Sequence, residues 1–414
     1  MAHLLIIEGW ISDSGNLILP LLNKMGHTYT FVTRNPSLYK SADYEGEHPL
    51  FKNAENTIEV DTNNIKELIL AVKDIKFDGV ITACDYYFEA VRSVANEFGL
   101  PCPLPNNLKH IRQKHLMRQT LESSDIANVI FRLANSWEEI VAAARQIGYP
   151  LIIKPVDLDS SSFVRLIKNE EELKEAFDAL EEFSVNYREQ PRNSVVLLEE
   201  FLPGEEVSVE SVSFEGKTTI IGITDKSLIG KPYFIETGHM FPANMDENKY
   251  EEITEYVKSV LDAVGFENGV AHTEVKLTKS GPRIIEINPR VPGNYIVELI
   301  EHVTGLNLLR IFVGLSLGEK PELSMTNTGI VSAASLFFIP PREGTISQIK
   351  GVESLKDNPN ILRYHIPECS DRYVKQPIDN TCYLGHVIAQ DTAGYSARQY
   401  GEQAIKQIEL VYKK

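Results

Sequence analysis

The segment GVAHTEVKLTKSGPRIIEINPR, which begins at Gly269, constrains this chain more than any other. Polar and apolar side chains alternate through Thr273–Leu277 and again through Ile285–Asn288. Lys279-Ser280-Gly281-Pro282 between them is turn chemistry, so the pattern predicts a β-hairpin. Val275, Leu277, Ile285 and Ile287 are expected on a core face, and Glu274, Lys276, Glu286 and Asn288 on the other. Cross-strand partners point the same way, so their numbers must sum to an even value, as a loop such as Ser280-Gly281-Pro282 allows. Glu274 then lies opposite or next to Asn288 and Glu286. Two carboxylates and an amide oxygen on one face suit a hard divalent cation. The simpler reading is a half-exposed hairpin with solvated charges. Asn288-Pro289-Arg290-Val291-Pro292-Gly293 weighs against it, because this rigid run fixes a guanidinium two residues past the last oxygen donor. Metal donors followed by a fixed arginine point to phosphoryl transfer.

Glu274, Glu286, Asn288 and Arg290, as HTEVKL…IIEINPR, resemble the metal-binding signature of the ATP-grasp superfamily, closest to the L-amino-acid ligases that make dipeptides. The resemblance covers residues 1 to about 320 in order and the remainder loosely.

The chain has 414 residues, 43% of them hydrophobic, so two or three domains are expected. A formal charge of −17 argues against a general nucleic-acid or anionic-membrane surface. Cys84, Cys102, Cys369 and Cys382 form no CxxC pair, which disfavours zinc, and they are too few for a disulfide scaffold. The apolar run in MAHLLIIEGW is too short for a signal peptide or a membrane span. A cytoplasmic protein is expected.

The expected fold combines α/β and α+β architecture in three parts. Residues 1–112 form an N-terminal parallel-sheet domain, 113–325 an ATP-grasp domain with a lid at about 150–212, and 326–414 a C-terminal α+β extension. Strands at 4–7, 29–33, 57–60 and 79–82 alternate with helices at 16–25, 64–73 and 87–98, which predicts a doubly wound parallel sheet. Its first turn, Glu8-Gly9-Trp10-Ile11-Ser12, lacks GxGxxG and speaks against NAD. Such a sheet can host a small substrate at its strand ends. A basic helix begins in the 111–118 run, and Ser396–Val411 is read as a closing helix.

Lys154 sits inside the strand-like run Leu151–Val156, and a buried ammonium needs an anionic partner. A phosphate would provide one; a snorkelling lysine is the alternative. Val195–Leu198 is a strand that ends in a hinge, and Glu199, Glu200, Phe201 and Leu202 there suit an adenine ring. By resemblance these four hold adenine, Glu206 binds the ribose hydroxyls, and Lys114 and Lys154 reach phosphates. Ser160, Ser161 and Ser162 lie where a mobile loop would fold over ATP. Related ligases carry glycine where Phe163 stands, and phenylalanine rarely adopts φ > 0. The resemblance also places Lys226, Glu236 and His239 at the amino-acid pocket, and Arg290 is expected to stabilise the negative charge that develops on the acyl phosphate and tetrahedral intermediate. Asn294 falls where some relatives place a large residue that limits that pocket.

The expected function is ATP-dependent ligation of two L-amino acids through an acyl phosphate. It uses ATP and two Mg²⁺ ions, with Mn²⁺ as an alternative. Partners are small amino acids, with no nucleic acid or membrane; the resemblance leaves a homodimer open. The same activation with a carrier-protein thiol or another small amine as acceptor is the alternative. A non-catalytic ATP-binding protein is a further one, and a dehydrogenase on the N-terminal sheet is disfavoured. No side chain stands out as the base for the amine; His239, Glu236 or an acidic lid residue would serve.

Overall fold

A computed structural model describes residues 1–9, 14–40, 47–159, 161–229 and 233–413. Four strands, Asn56–Glu59, Thr28–Thr33, His3–Ile7 and Gly79–Ile81, lie side by side in that order in one parallel sheet. Three of the strands are short and mostly buried, the edge strand Asn56–Glu59 is polar, and they alternate with helices such as Ile65–Val72 and Phe88–Glu97, so the expected parallel sheet is present. The chain reverses its strand order between His3–Ile7 and Gly79–Ile81. Open parallel sheets bind ligands at such a switch point. The turn residues Trp10, Ile11 and Ser12 lie outside the described residues. The basic helix is broken: Gln113 is extended between Leu108–Arg112 and Lys114–Ser123.

A second sheet pairs Phe131–Ala134, Val196–Glu200, Leu151–Pro155 and Arg165–Ile167 in antiparallel order. The helices Trp137–Ile147 and Glu170–Glu182 pack on it around Ile140, Leu151, Ile153, Leu173 and Leu198. Both helices are capped, by Ser136 and Asn169 side chains accepting from the third residue on.

The third sheet has eight strands. It runs from the hairpin (Gly269–Thr278 and Gly281–Asn288) through Glu205–Phe214, Lys217–Ile229 and Ile235–Phe241 to Ser332–Phe338, Gly385–Asp391 and Ile361–His365. Residues 201–204 join the second sheet to the third, so a slot opens between them. Gly204 permits this junction: a Cβ there would lie 1.9 Å from the Leu277 carbonyl oxygen.

Three further expectations are corrected. The closing helix ends at Ile405, and Glu409–Tyr412 is a strand pairing with Gly344–Lys350. The alternating run Ile408-Glu409-Leu410-Val411-Tyr412 completes a small sheet and buries Ile408, which helical spacing would not do. The hairpin loop is Lys279-Ser280, not Ser280-Gly281-Pro282, because Thr278 pairs with Gly281. A bulge at Ile285 then restores the register, so Glu274 faces Glu286 as expected. The bulge also exchanges two side chains. Ile284, not Ile285, enters the core with Val275 and Ile287, beneath Val257 and Leu261 of the helix Glu247–Ala263.

Candidate active site

One cavity of about 540 Å³ lies where the slot, the acidic face of the hairpin and the ends of the parallel strands meet. Glu274 and Glu286 line it, facing each other across the hairpin. Two carboxylates this close would repel if nothing intervened. Each has its own lysine: Lys226 Nζ lies 3.0 Å from Glu274, and Lys114 Nζ lies 2.8 Å from Glu286. Burial pushes both acids up, yet the lysines prevail and hold both below the usual carboxylate range, Glu286 well below it. Asn288 donates its amide nitrogen to Glu286 at 3.0 Å, leaving its oxygen as an acceptor.

Lys226 is the hub of the acidic face. Its ammonium is buried between Glu236 at 2.8 Å, Glu274 at 3.0 Å and Glu206 at 3.0 Å. Burial alone would lower it; the three carboxylates hold it well above the usual lysine value. Lys276 adds a second cation 3.3 Å from Glu206. Among the described residues no group of three or more His, Cys, Asp or Glu forms a metal cage. Glu274, Glu286 and Asn288 instead offer an ionised, all-oxygen set of the kind Mg²⁺ accepts while keeping waters and phosphate oxygens as its other ligands. The residues therefore fit the ion.

On the slot side, Lys154 Nζ lies 2.7 Å from Glu199, whose other oxygen receives Arg118 Nε at 2.7 Å. The partner of the buried lysine is thus a carboxylate of the strand Val196–Glu200, which takes in Glu199 and Glu200 rather than leaving them to the hinge. Burial opposes ionisation of Glu199, but Arg118 and Lys154 hold its pKa at about 2. Arg118 has no exposed surface, and it donates to the carbonyls of Ile284 at 2.8 Å and Ile285 at 3.2 Å. The same guanidinium therefore braces both the strand Val196–Glu200 and the hairpin bulge. Ile285, turned outward by the bulge, joins Val129, Ile152, Phe201 and Leu202 as apolar lining of the slot. Glu200 and Glu206 line it as well.

Ser160 lies outside the described residues; Ser161 and Ser162 line the cavity. Phe163 does take the left-handed conformation, with φ of 59°, and Ser161 has φ of 58°. For a non-glycine residue this costs roughly 1–2 kcal/mol. The Phe163 ring offsets the cost by packing on Phe183 at 4.9 Å between ring centres.

On the far side, His239 and Glu236 are 3.3 Å apart, and Asn294 donates to Glu236 and approaches His239 Nε2 at 3.2 Å. Arg290 Nε lies 2.8 Å from Asp85, which follows the fourth parallel strand. The structure brings Lys114, Lys154, Glu199–Leu202, Glu206, Glu236, His239, Glu274, Glu286 and Arg290 to one cavity, and Lys226 lies behind its wall, paired with Glu206, Glu236 and Glu274. Asn288 touches it through Glu286.

Sequence reading missed several neighbours. Asp85 carried one signal, its place at the end of a parallel strand. His272 is held 2.9 Å from the fully buried Glu210 and 3.5 Å from Glu274. Burial lowers it, but Glu210 raises it to about 9, so it is a cation at neutral pH. Asn380, Thr381 and Tyr383 bring the C-terminal region to the cavity, and Asn380 Oδ1 accepts the Glu236 N–H at 3.0 Å. Nothing in their sequence announces this.

The sequence family described as ATP-grasp domain matches residues 147–298, and the one described as L-amino acid ligase C-terminal domain 2 matches residues 336–413. The chain is 28% identical over 354 residues to an uncharacterized protein of Sinorhizobium fredii, covering 84% of this chain and 72% of that one. It is 26% identical over 311 residues to the alanine–anticapsin ligase of Bacillus subtilis, covering 70% of this chain and 65% of the ligase. The crystal structure of an L-amino acid ligase from Bacillus licheniformis superposes with a TM-score of 0.82 at 20% identity. That superposition covers 100% of this chain and 99% of the other, and the likeness is one of fold.

Proposed function

The chain belongs to the ATP-grasp superfamily as a ligase with an L-amino acid ligase C-terminal domain, and from that premise we propose that it joins two L-amino acids at the expense of ATP. The observation that carries this reading is the facing pair Glu274 and Glu286, ionised and set between Lys114, Lys154 and Arg290 in one cavity. ATP binding without chemistry would not require so many opposed charges.

Adenine enters the slot between Ile152, Phe201, Leu202 and Ile285, with Glu206 at the ribose. Lys114 and Lys154 hold the phosphates, and the lid-loop residues Ser161 and Ser162 cover them. Glu274, Glu286 and Asn288 would hold Mg²⁺, which when bound offsets charge on the phosphates. A substrate carboxylate attacks the γ-phosphorus, and ADP leaves. The acyl phosphate that results has a good leaving group where the carboxylate had none. The amine of the second amino acid then attacks the acyl carbon, and phosphate departs. Arg290, fixed by Asp85, faces the negative charge that develops in both steps. Lys226, Glu236 and His239 shape the amino-acid end of the cavity.

The test is phosphate release with ATP and Mg²⁺ across all pairs of the twenty L-amino acids, with mass spectrometry of the products. Amino-acid-dependent release with a dipeptide product is expected. No release with any pair would overturn the reading.

A further inference from the structure

Asp159 opens the lid loop and lines the cavity beside Asp85 and Arg290. Its Oδ1 accepts the hydroxyl of Tyr86 at 2.9 Å, which fixes the carboxyl plane. Its Oδ2 is buried and has no hydrogen-bond partner among the described residues. A buried carboxylate oxygen without a donor is costly, and its place in a cavity wall points to a donor brought by a ligand.

The other acids near the amino-acid end are already engaged. Asp85 is paired with Arg290. Glu236 is held by Lys226, Asn294 and His239 and lies well below the usual carboxylate range, which makes it a poor proton acceptor. His239 Nε2 accepts from the Asn294 amide, so the ring's Nδ1, which has no partner among the described residues, carries its proton and is a donor rather than a base. Among the described carboxylates that line the cavity, Asp159 alone has a buried oxygen with neither a hydrogen-bond donor nor an ion pair.

Resting on the ligase reading, we propose that Asp159 receives the ammonium group of the second amino acid and is the general base of peptide-bond formation. Asp159 Oδ2 takes one proton from the ammonium and frees the nitrogen lone pair. That pair forms the C–N bond as the C–O bond to phosphate breaks. The bonding electrons leave with the phosphate, which carries away the second nitrogen proton. The groups facing Asp159 are Cys84, Asp85 and Tyr86 from the turn after the fourth parallel strand, Arg112 and Lys114 from the two helices at 108–123, Tyr187, and Arg290. Burial first, and the Asp85 carboxylate second, push the Asp159 carboxyl up to about 6, which suits a base at neutral pH.

Hydroxylamine separates this role from all others, because it is uncharged at neutral pH and attacks acyl phosphates without a base. Wild type and the Asp159→Asn and Asp159→Glu variants are given ATP, Mg²⁺ and an equimolar mixture of the twenty L-amino acids, with and without hydroxylamine. In Asp159→Asn, dipeptide formation is expected to fall about 100-fold or more, while hydroxamate formation stays within about threefold of wild type. Asp159→Glu is expected to recover part of the dipeptide rate. Dipeptide formation within threefold of wild type in Asp159→Asn overturns the proposal. So does parallel loss of hydroxamate, which would place Asp159 in phosphoryl transfer or in the fold. A wild-type protein that yields no hydroxamate instead overturns the ligase reading itself.

Discussion

The ammonium of Lys114, the first residue of its helix, lies 2.8 Å from a carboxylate oxygen of Glu286 on the second hairpin strand. Across the hairpin, Lys226 stands in the same relation to Glu274. The acidic face is therefore kept ionised by two lysines from different parts of the chain. A dication arriving with ATP would find these carboxylates already deprotonated; Lys114, displaced from Glu286, would gain phosphate oxygens, while Lys226 would keep Glu206 and Glu236 as partners.

Glu286→Gln removes one anionic donor and leaves Lys114 without its counter-charge. Amine-dependent ADP release should be abolished, as measured by a coupled assay with saturating ATP and the amino-acid mixture. Turnover within a few-fold of wild type would mean that the metal is held elsewhere.

Arg290→Ala should act on turnover rather than on nucleotide affinity. A guanidinium facing charge that develops only during reaction contributes roughly 10²–10³ in kcat, by analogy with oxyanion donors. ATP affinity by calorimetry should change by less than about threefold. Asp85→Asn, which loosens the guanidinium without removing it, should give a smaller fall in kcat. Equal losses of ATP affinity and turnover would place Arg290 at the nucleotide.

The legible parts of the chain were those whose signal is local. Period-two alternation gave the hairpin, and the facing acids followed from parity. The bulge at Ile285 was hidden because one extra residue reverses parity only beyond itself, and the Arg118 donors that pin it come from more than 160 residues away. Lys154 was legible as a buried charge in an apolar strand, but its carboxylate partner was not, since strand pairing sets it. Phe163 shows the limit of a propensity argument: an unfavourable φ persists where the ring gains a packing partner, Phe183. The C-terminal wall of the cavity left no trace in local pattern, because Asn380–Tyr383 reach it through tertiary packing alone.

That C-terminal region also grips the residue after Asn294. Asn294 and Tyr295 both have left-handed backbones, with φ of 53° and 65°. The Tyr295 ring stacks on His386 at 4.0 Å, and Arg363 lies 4.9 Å over its centre. Ser335 Oγ donates to the Asn294 carbonyl at 2.9 Å. The clamp therefore aims the Asn294 amide at Glu236 and His239. Tyr295→Leu should raise the half-saturating concentration of the amino-acid mixture about tenfold, roughly the 1.4 kcal/mol of one lost aromatic contact pair. ATP half-saturation should stay within about twofold. A matching rise for ATP and amino acids would point to general loosening of the fold.

Glu298 anchors this clamp and makes it sensitive to acid. Its carboxylate accepts Arg363 Nε at 2.7 Å and pairs with His302 at 3.4 Å. Burial would push it up, but Arg363 and His302 hold it at about 2, below the ordinary 4.5. A depressed carboxyl contributes stability that is complete above its unfolded value, near 4.5. The contribution is lost as pH falls towards the folded value, near 2. Glu298 keeps some exposure to water, so screening reduces the contribution to about 1–2 kcal/mol at neutral pH. Glu298→Gln should therefore lower the unfolding free energy by about that amount at pH 7 in urea titrations. The gap between wild type and variant should hold constant from pH 7 down to about 5 and then close as the pH drops below 4.5. A gap that stays open in acid would mean that the pair with Arg363 contributes through packing rather than charge.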